Sequence, residues 1–300
     1  MSVVPLPFPE IDTPADRATR FAAVVLAVYL AATTWPMVLY SERSSTTGAL
    51  AVHVAALLAA LVVALSRRGE IRPVRDLLPL LLGPFLYVEL RWLIPGLGHP
   101  HADALVLSWE HGLFGGNPSA TWAPAMPWPL LSEALHLAYA SYYLLVLAPP
   151  LVLYVRGRRE AYAATMLALT LVYGVCFTTY VLFPVDGPRY LVGPAAAPNG
   201  PVRAFVLHLL EAGSSRGTAF PSSHVAAAVV ASLCALRFQR RLGVVVAVLT
   251  VGLALGTVYG GFHYGVDALA GVLVGLSGWL AARVLWRELG LAGSQSATAA

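Results

Sequence analysis

Eight apolar runs divide this chain, near residues 18–40, 48–66, 77–95, 129–155, 161–183, 221–236, 242–258 and 265–286. A helix needs about 20 apolar residues, within a range of roughly 17–25, to cross the hydrocarbon core of a bilayer. Backbone N–H and C=O groups meet no water there, so such a run folds as a helix that satisfies its own hydrogen bonds. The series predicts an all-α fold, a polytopic membrane helix bundle of about eight transmembrane helices. Composition agrees: 58% of residues are hydrophobic and 11% charged, whereas soluble domains are about 45–50% apolar. The first run reads as an uncleaved anchor or a signal peptide. Its length and its place in a regular series favour the anchor. The sixth run is a little short.

Eight spans put both termini on one side. Arg67, Arg68, Arg72 and Arg75, then Arg156, Arg158 and Arg159, then Arg237, Arg240 and Arg241 fill the connectors of that side. Arg17, Arg20, Arg283 and Arg287 flank the terminal spans there, while the opposite side holds Arg43, Arg189, Arg203 and Arg216, with Arg91 near it. The positive-inside rule makes the arginine-rich side cytoplasmic. The expected location is therefore the cytoplasmic membrane, multi-pass, with both termini cytoplasmic and the longer connectors, 96–128 and 184–219, outside. The formal charge is +4 and all 19 basic residues are arginine. They sit in short bursts rather than on one clustered face, which speaks against a nucleic-acid partner. Cys176 and Cys234 fall inside apolar runs without CxxC spacing and read as buried free thiols.

Three polar stretches fall on the outer side: FPVDGPRY (183–190), SSRGTAFPSSH (214–224) and YGGFHYGVD (259–267). Pro221 suits a first helical turn. The N–H groups of Ser222, Ser223 and His224 would then form an anion site at the positive end of the helix dipole, with the serine hydroxyls as added donors. His263 and Asp267 are four residues apart, on one helical face. A carboxylate behind an imidazole fixes its tautomer and aims the other nitrogen forward as nucleophile or base. An unpaired aspartate at the bilayer centre costs on the order of 3 kcal/mol, so pairing explains its presence. Arg189 emerges from a Pro- and Gly-shaped turn and offers phosphate a planar fork. Arg216 is either a second phosphate ligand or a loop arginine meeting lipid headgroups. This set suits in-line displacement at phosphorus, one histidine attacking and the other protonating the leaving oxygen. No metal and no cofactor is required.

Glu133, His136, Tyr139 and Tyr143 form a polar stripe at helical spacing at the outer end of the fourth run. It fits either an interfacial hydrogen-bond network or the lining of a substrate pocket. Its Glu-x-x-His has no second copy, so metal is not expected. His99, His101 and His111 show no repeated ligand spacing either.

Pro221, Ser222, Ser223 and His224, followed by His263 and Asp267, resemble the second and third motifs of the type 2 phosphatidic acid phosphatase superfamily. The resemblance implies that His263 is the nucleophile, Asp267 its orienting partner and His224 the general acid. It implies a six-helix core, here 77–288, preceded by a flexible tail (1–16) and two extra transmembrane helices (17–76) and followed by a flexible tail (289–300). Gly256 and Thr257 stand where the third motif usually has Ser-Arg, and Pro188-Arg189 replaces the usual first-motif order. Both departures, with EHGLFGGNPSATW and SEALHLAYASYYLL, are similar to the branch containing inositol phosphorylceramide synthases. The resemblance spans roughly 85–285. The expected substrate is an amphiphilic lipid phosphate among membrane lipids, cleaved through a phosphohistidine-type intermediate by a lipid phosphatase or phosphotransferase. The rival reading is a lipid-binding or transport protein that uses the same anion site without chemistry.

Overall fold

The computed structural model describes residues 13–44, 47–66 and 71–288. The expected tails are mostly outside these residues, as are Arg67 and Arg68. The described chain is all-helical: α1 (Pro14–Ser44), α2 (Gly48–Leu65), α3 (Arg72–Leu97), α4 (Asp103–Phe114), α5 (Pro118–Ala125), α6 (Pro129–Ala140), α7 (Tyr142–Val155), α8 (Arg159–Leu182), α9 (Pro188–Val192), α10 (Pro201–Gly213), α11 (Ser223–Phe238), α12 (Arg240–Tyr259) and α13 (Gly265–Glu288). The N-terminal tail expected over 1–16 ends sooner, because Pro14 and Asp16 already belong to the first turn of α1.

Six helices, α1, α2, α3, α8, α12 and α13, are long and apolar enough to cross a membrane. The pair α6–α7, bent by 42°, is long and apolar enough together to count as a seventh if the two form one span. The bend falls at Ser141, whose hydroxyl donates back to the Ala138 carbonyl at 2.6 Å, a side-chain bond that competes with the helical ladder. The short sixth apolar run is α11, with 16 residues. At 1.5 Å per residue it is about 24 Å long, short of the bilayer core. It is shielded within the bundle by α7, α8, α12 and α13, and its alanines let those neighbours come close. Gly271 and Gly275 of α13 complete that contact: a Cβ at either would lie within 2.7 Å of a backbone oxygen of Ser222 or Ala226.

The two N-terminal helices are not a loose appendage. α1 packs on α2, α3 and α8. At Gly96 the α3 backbone comes so near α1 that a Cβ would stand 2.1 Å from the Pro36 carbonyl oxygen. On the arginine-rich face, Asp16 of α1 meets Arg75 at 2.6 Å, Arg159 at 3.3 Å and Arg72 at 3.5 Å. Arg159 also grips Asp76 at 2.7 Å. In the sequence Arg75 and Arg159 read as topology signals. Arg75 is 2% exposed, and both arginines join α1, α3 and α8 through buried carboxylates. Between α2 and α3, His53 Nδ1 lies 3.1 Å from Glu89, with both side chains fully buried. The other ring nitrogen of His53 is 2.9 Å from the Leu30 carbonyl of α1.

At the opposite end, α4, α5, α9 and α10 form a cap of short helices. Two acidic residues organise it. Glu110 of α4 accepts the N–H groups of Gly265 and Val266, both at 2.8 Å, and so caps α13. Glu133 of α6 does the same for α10, through Val202 at 2.9 Å and Arg203 at 3.0 Å. Each carboxylate satisfies two of the donors that a helix start leaves unpaired.

Candidate active site

The site forms where the starts of α9, α11 and α13 converge. Asp103 accepts the N–H groups of Asp186 and Gly187 at 2.9 and 2.8 Å, and Val185 bridges to Thr218. Gly187 adopts φ +83°, a conformation that side-chain-bearing residues rarely reach. This pinned turn leads into Pro188 and projects Arg189 from the first turn of α9. The Arg189 guanidinium donates to the Ser214 hydroxyl and covers the Tyr190 ring at 4.5 Å.

His263 sits between the end of α12 and the start of α13. The Thr257 carbonyl accepts the N–H groups of both Phe262 and His263, at 2.9 and 3.0 Å. The His263 ring places Nδ1 3.0 Å from the Ala219 carbonyl. A carbonyl can only accept, so Nδ1 carries the proton and Nε2 keeps its lone pair. Asp267, fully buried, is farther away, with Oδ2 3.5 Å from Nδ1. That oxygen accepts the Tyr264 N–H at 2.8 Å. The hydrogen bond that sets the tautomer is therefore to Ala219, while Asp267 supplies a carboxylate behind the ring and ties down the turn. Burial pushes the His263 imidazole below the ordinary histidine range, to about 4, with the Ala219 bond opposing the shift and the Arg189 charge adding to it.

His224, in the first turn of α11, faces His263 with ring centroids 6.0 Å apart. Three tyrosines surround it: Tyr142 at 4.3 Å, Tyr139 stacked at 5.4 Å and Tyr87 edge-on at 6.4 Å. Tyr142 is itself tied to Tyr173, hydroxyl to hydroxyl, at 2.8 Å. A cavity of about 40 Å³ is bounded by His224, His263, Arg189, Tyr87, Tyr139 and Thr218, among others. A second cavity, of about 310 Å³ and mostly apolar, runs from His224 and Ser223 between α3, α7 and α8. Tyr87 and His224 line both, so the polar chamber and the apolar channel share a wall.

Of the residues singled out from sequence, His224, His263, Arg189 and Tyr139 line one chamber, with Asp267 behind it. Tyr143 lines the apolar cavity instead. The other five do not line that chamber. The helix starts at Ser223, and Ser222 is its N-cap, accepting from the Val225 N–H at 3.4 Å. The Ser222 N–H is taken by the Asp267 carbonyl at 3.0 Å. The Ser223 N–H donates to the Tyr180 hydroxyl at 2.9 Å, which donates on to the Pro221 carbonyl. Ser222 and Ser223 thus hold the helix start together rather than present N–H groups to a phosphate, and Ser223 opens on the apolar cavity. Arg216 is 62% exposed, pairs with Asp186 at 3.2 Å and lies outside the histidine chamber. It lines an outer vestibule of about 580 Å³ with Arg91, His99, His101 and Glu211. Glu133 is used up as the α10 cap. His136 places Nδ1 2.6 Å from its own helix's Ser132 carbonyl and packs edge-on to Tyr259 and Phe262, away from the chamber. The stripe is therefore a hydrogen-bond network at Glu133 and His136 and cavity lining only at Tyr139 and Tyr143.

Sequence reasoning missed Tyr87, Tyr142, Ser214 and Thr218 at the site and the two carboxylates, Asp103 and Glu110, that position it. Glu110 and Asp186 stood inside stretches already marked as unusual. The tyrosines had no signal, because their spacing is that of any aromatic belt. His101, Asp103 and Asp186 bring ligand atoms within 4.8 Å of one another. Those atoms are already engaged by loop N–H groups, by Arg216 and by the 2.8 Å pairing of His101 with Asp186, so the cluster reads as a staple for the 183–187 turn.

Gly256, where the sequence departs from the expected motif, has its own reason in this geometry. A Cβ there would lie 2.5 Å from the Leu135 carbonyl oxygen, so α12 and α6 touch backbone to backbone. Comparison with curated proteins and with solved structures finds no match in either. The stretch from the middle of the cap to the end of the bundle, residues 104–281, matches the PAP2 superfamily. That span contains the histidine pair, Asp267 and Arg189, and exceeds half of the sequence, so the chain belongs to the PAP2 superfamily.

Proposed function

We propose that this membrane protein cleaves a lipid phosphoester at the outer leaflet through a phosphohistidine intermediate on His263. Members of its superfamily are phosphatases or phosphotransferases. The observation that carries the mechanism is the pair of imidazoles, 6.0 Å apart across a chamber that Arg189 also lines. Nε2 of His263 attacks phosphorus as the bond to the leaving alcohol breaks, and protonated His224 gives its proton to that oxygen. Arg189 balances the charge that grows on the remaining phosphoryl oxygens. In the second step, His224 takes a proton from the incoming hydroxyl, which attacks the phosphohistidine and frees Nε2. The apolar cavity of about 310 Å³ beside His224 supports an amphiphilic substrate, since it offers a path for a lipid chain next to the chamber.

The incoming hydroxyl is either water, which makes a lipid phosphatase, or a lipid alcohol, which makes a phosphotransferase of the inositol phosphorylceramide synthase kind. The outer vestibule favours transfer: it adjoins the chamber through Ser214 and Ser215 and has room for a headgroup. The test is turnover of lipid phosphates by purified protein, with and without acceptor alcohols, read by mass spectrometry. We expect His263→Ala to abolish product and His224→Ala to lower the rate by about 10²–10⁴-fold. Equal product from wild type and both variants would leave only a binding or transport protein.

A further inference from the structure

The end of the bundle farthest from the histidines contains another cavity, of about 200 Å³, between α8, α11 and α13. Three guanidiniums, of Arg237, Arg283 and Arg287, line it together with Trp279, Trp286 and Phe238. Small residues of α8 and α13 and the Cys234 thiol form the rest of its wall, and no carboxylate among the described residues lines it. Arg283 lies over the Trp279 ring at 4.6 Å. Trp286 is only 8% exposed, and its Nε1–H has no hydrogen-bond partner among the described residues. The cavity therefore offers the Arg283 and Arg287 guanidiniums, beside two tryptophan rings, to a ligand rich in anionic oxygens.

We propose that this cavity binds the phosphate of an anionic phospholipid headgroup from the leaflet opposite the active site. Phosphate supplies several acceptor oxygens, which suits two forked guanidiniums at once. A lipid, rather than free phosphate, fits the place: the cavity opens at the end of membrane-spanning helices, beside tryptophans and an apolar wall, where basic pockets between helices meet headgroups. The site lies outside the machinery proposed for phosphoester cleavage and does not depend on that reading. Its occupant would clamp the far ends of the helices that carry Tyr180, His224 and Asp267.

The test uses the full-length protein in detergent, titrated separately with phosphatidylglycerol, phosphatidylcholine and inorganic phosphate. Bound lipid is read by native mass spectrometry and stabilisation by thermal unfolding. Phosphatidylglycerol should be retained in preference to phosphatidylcholine. The double variant Arg283→Gln/Arg287→Gln should weaken that retention by about 30-fold, two arginines each contributing roughly 1 kcal/mol near a headgroup. The single variant Arg283→Gln should weaken it by about fivefold. Equal retention of the two lipids, or retention unchanged in both variants, overturns the site. Stabilisation by inorganic phosphate equal to that by phosphatidylglycerol overturns the lipid as its occupant.

Discussion

His263 carries two constraints that act on different atoms. The Ala219 carbonyl holds the proton on Nδ1, and burial with the nearby Arg189 charge resists a second proton on Nε2. As the proposed nucleophile, His263 can attack only while Nε2 is unprotonated, so activity should fall as pH drops through the His263 pKa. With that value at about 4, the acid limb of kcat/KM lies well below the pH of an ordinary histidine, about 6.5. Replacing Arg189 by Gln removes a positive neighbour, makes protonation easier and moves the limb to higher pH. The shape of the profile is the measurement, because loss of the guanidinium also lowers the height. A limb that stays in place would mean that Arg189 does not act on His263. The histidines, Asp267 and Arg189 were legible as residues because each combines an ionisable group with an unusual local setting. Tyr87 and Tyr142 were not, since a tyrosine beside an imidazole looks like any other tyrosine near an interface until the helices cross.

Among elements, α4 is the one whose role the sequence hid. It is short and reads as an interfacial helix, yet Glu110 spans 155 positions to hold the first N–H groups of α13. Those groups lie just after His263, so the cap sets where the proposed nucleophile stands. Glu110→Ala should destabilise the protein by about 1–2 kcal/mol, the range for losing a helix cap, and lower kcat more than it changes KM. Glu110→Gln, which keeps an acceptor, should recover part of both. Unfolding curves in detergent with steady-state kinetics decide this, and an unchanged kcat in the alanine variant would show the cap to be remote from catalysis. The long apolar helices themselves were plain from apolar length, six of them long enough to span against the eight expected. Their finer anatomy was not: the bend at Ser141, the start of α11 at Ser223 and the occupied N–H groups there depend on bonds to distant residues.

For the whole molecule, the N-terminal helices belong to the structure that holds the chamber. α3 presents Tyr87 to His224 on one side and Glu89 to His53 of α2 on the other. α1 reaches α8 through the Asp16, Arg75 and Arg159 cluster. Breaking a buried pair leaves a polar group with no partner, so Glu89→Ala should cost about 3 kcal/mol or more. Adding His53→Ala should cost less than the sum of the two single changes. Thermal unfolding of the four proteins tests the coupling, and simple additivity would show that the pair contributes nothing as a pair. By itself the sequence determined the helical class, the positions of the spans and the gathering of three polar stretches on one side, because apolar length and arginine placement act along the chain. Only the tertiary structure decided which N–H groups were already taken, which arginines were buried in ion pairs and which tyrosines enclosed His224. Those outcomes depend on how each polar group finds a partner once water is excluded, and the partner is usually on another helix.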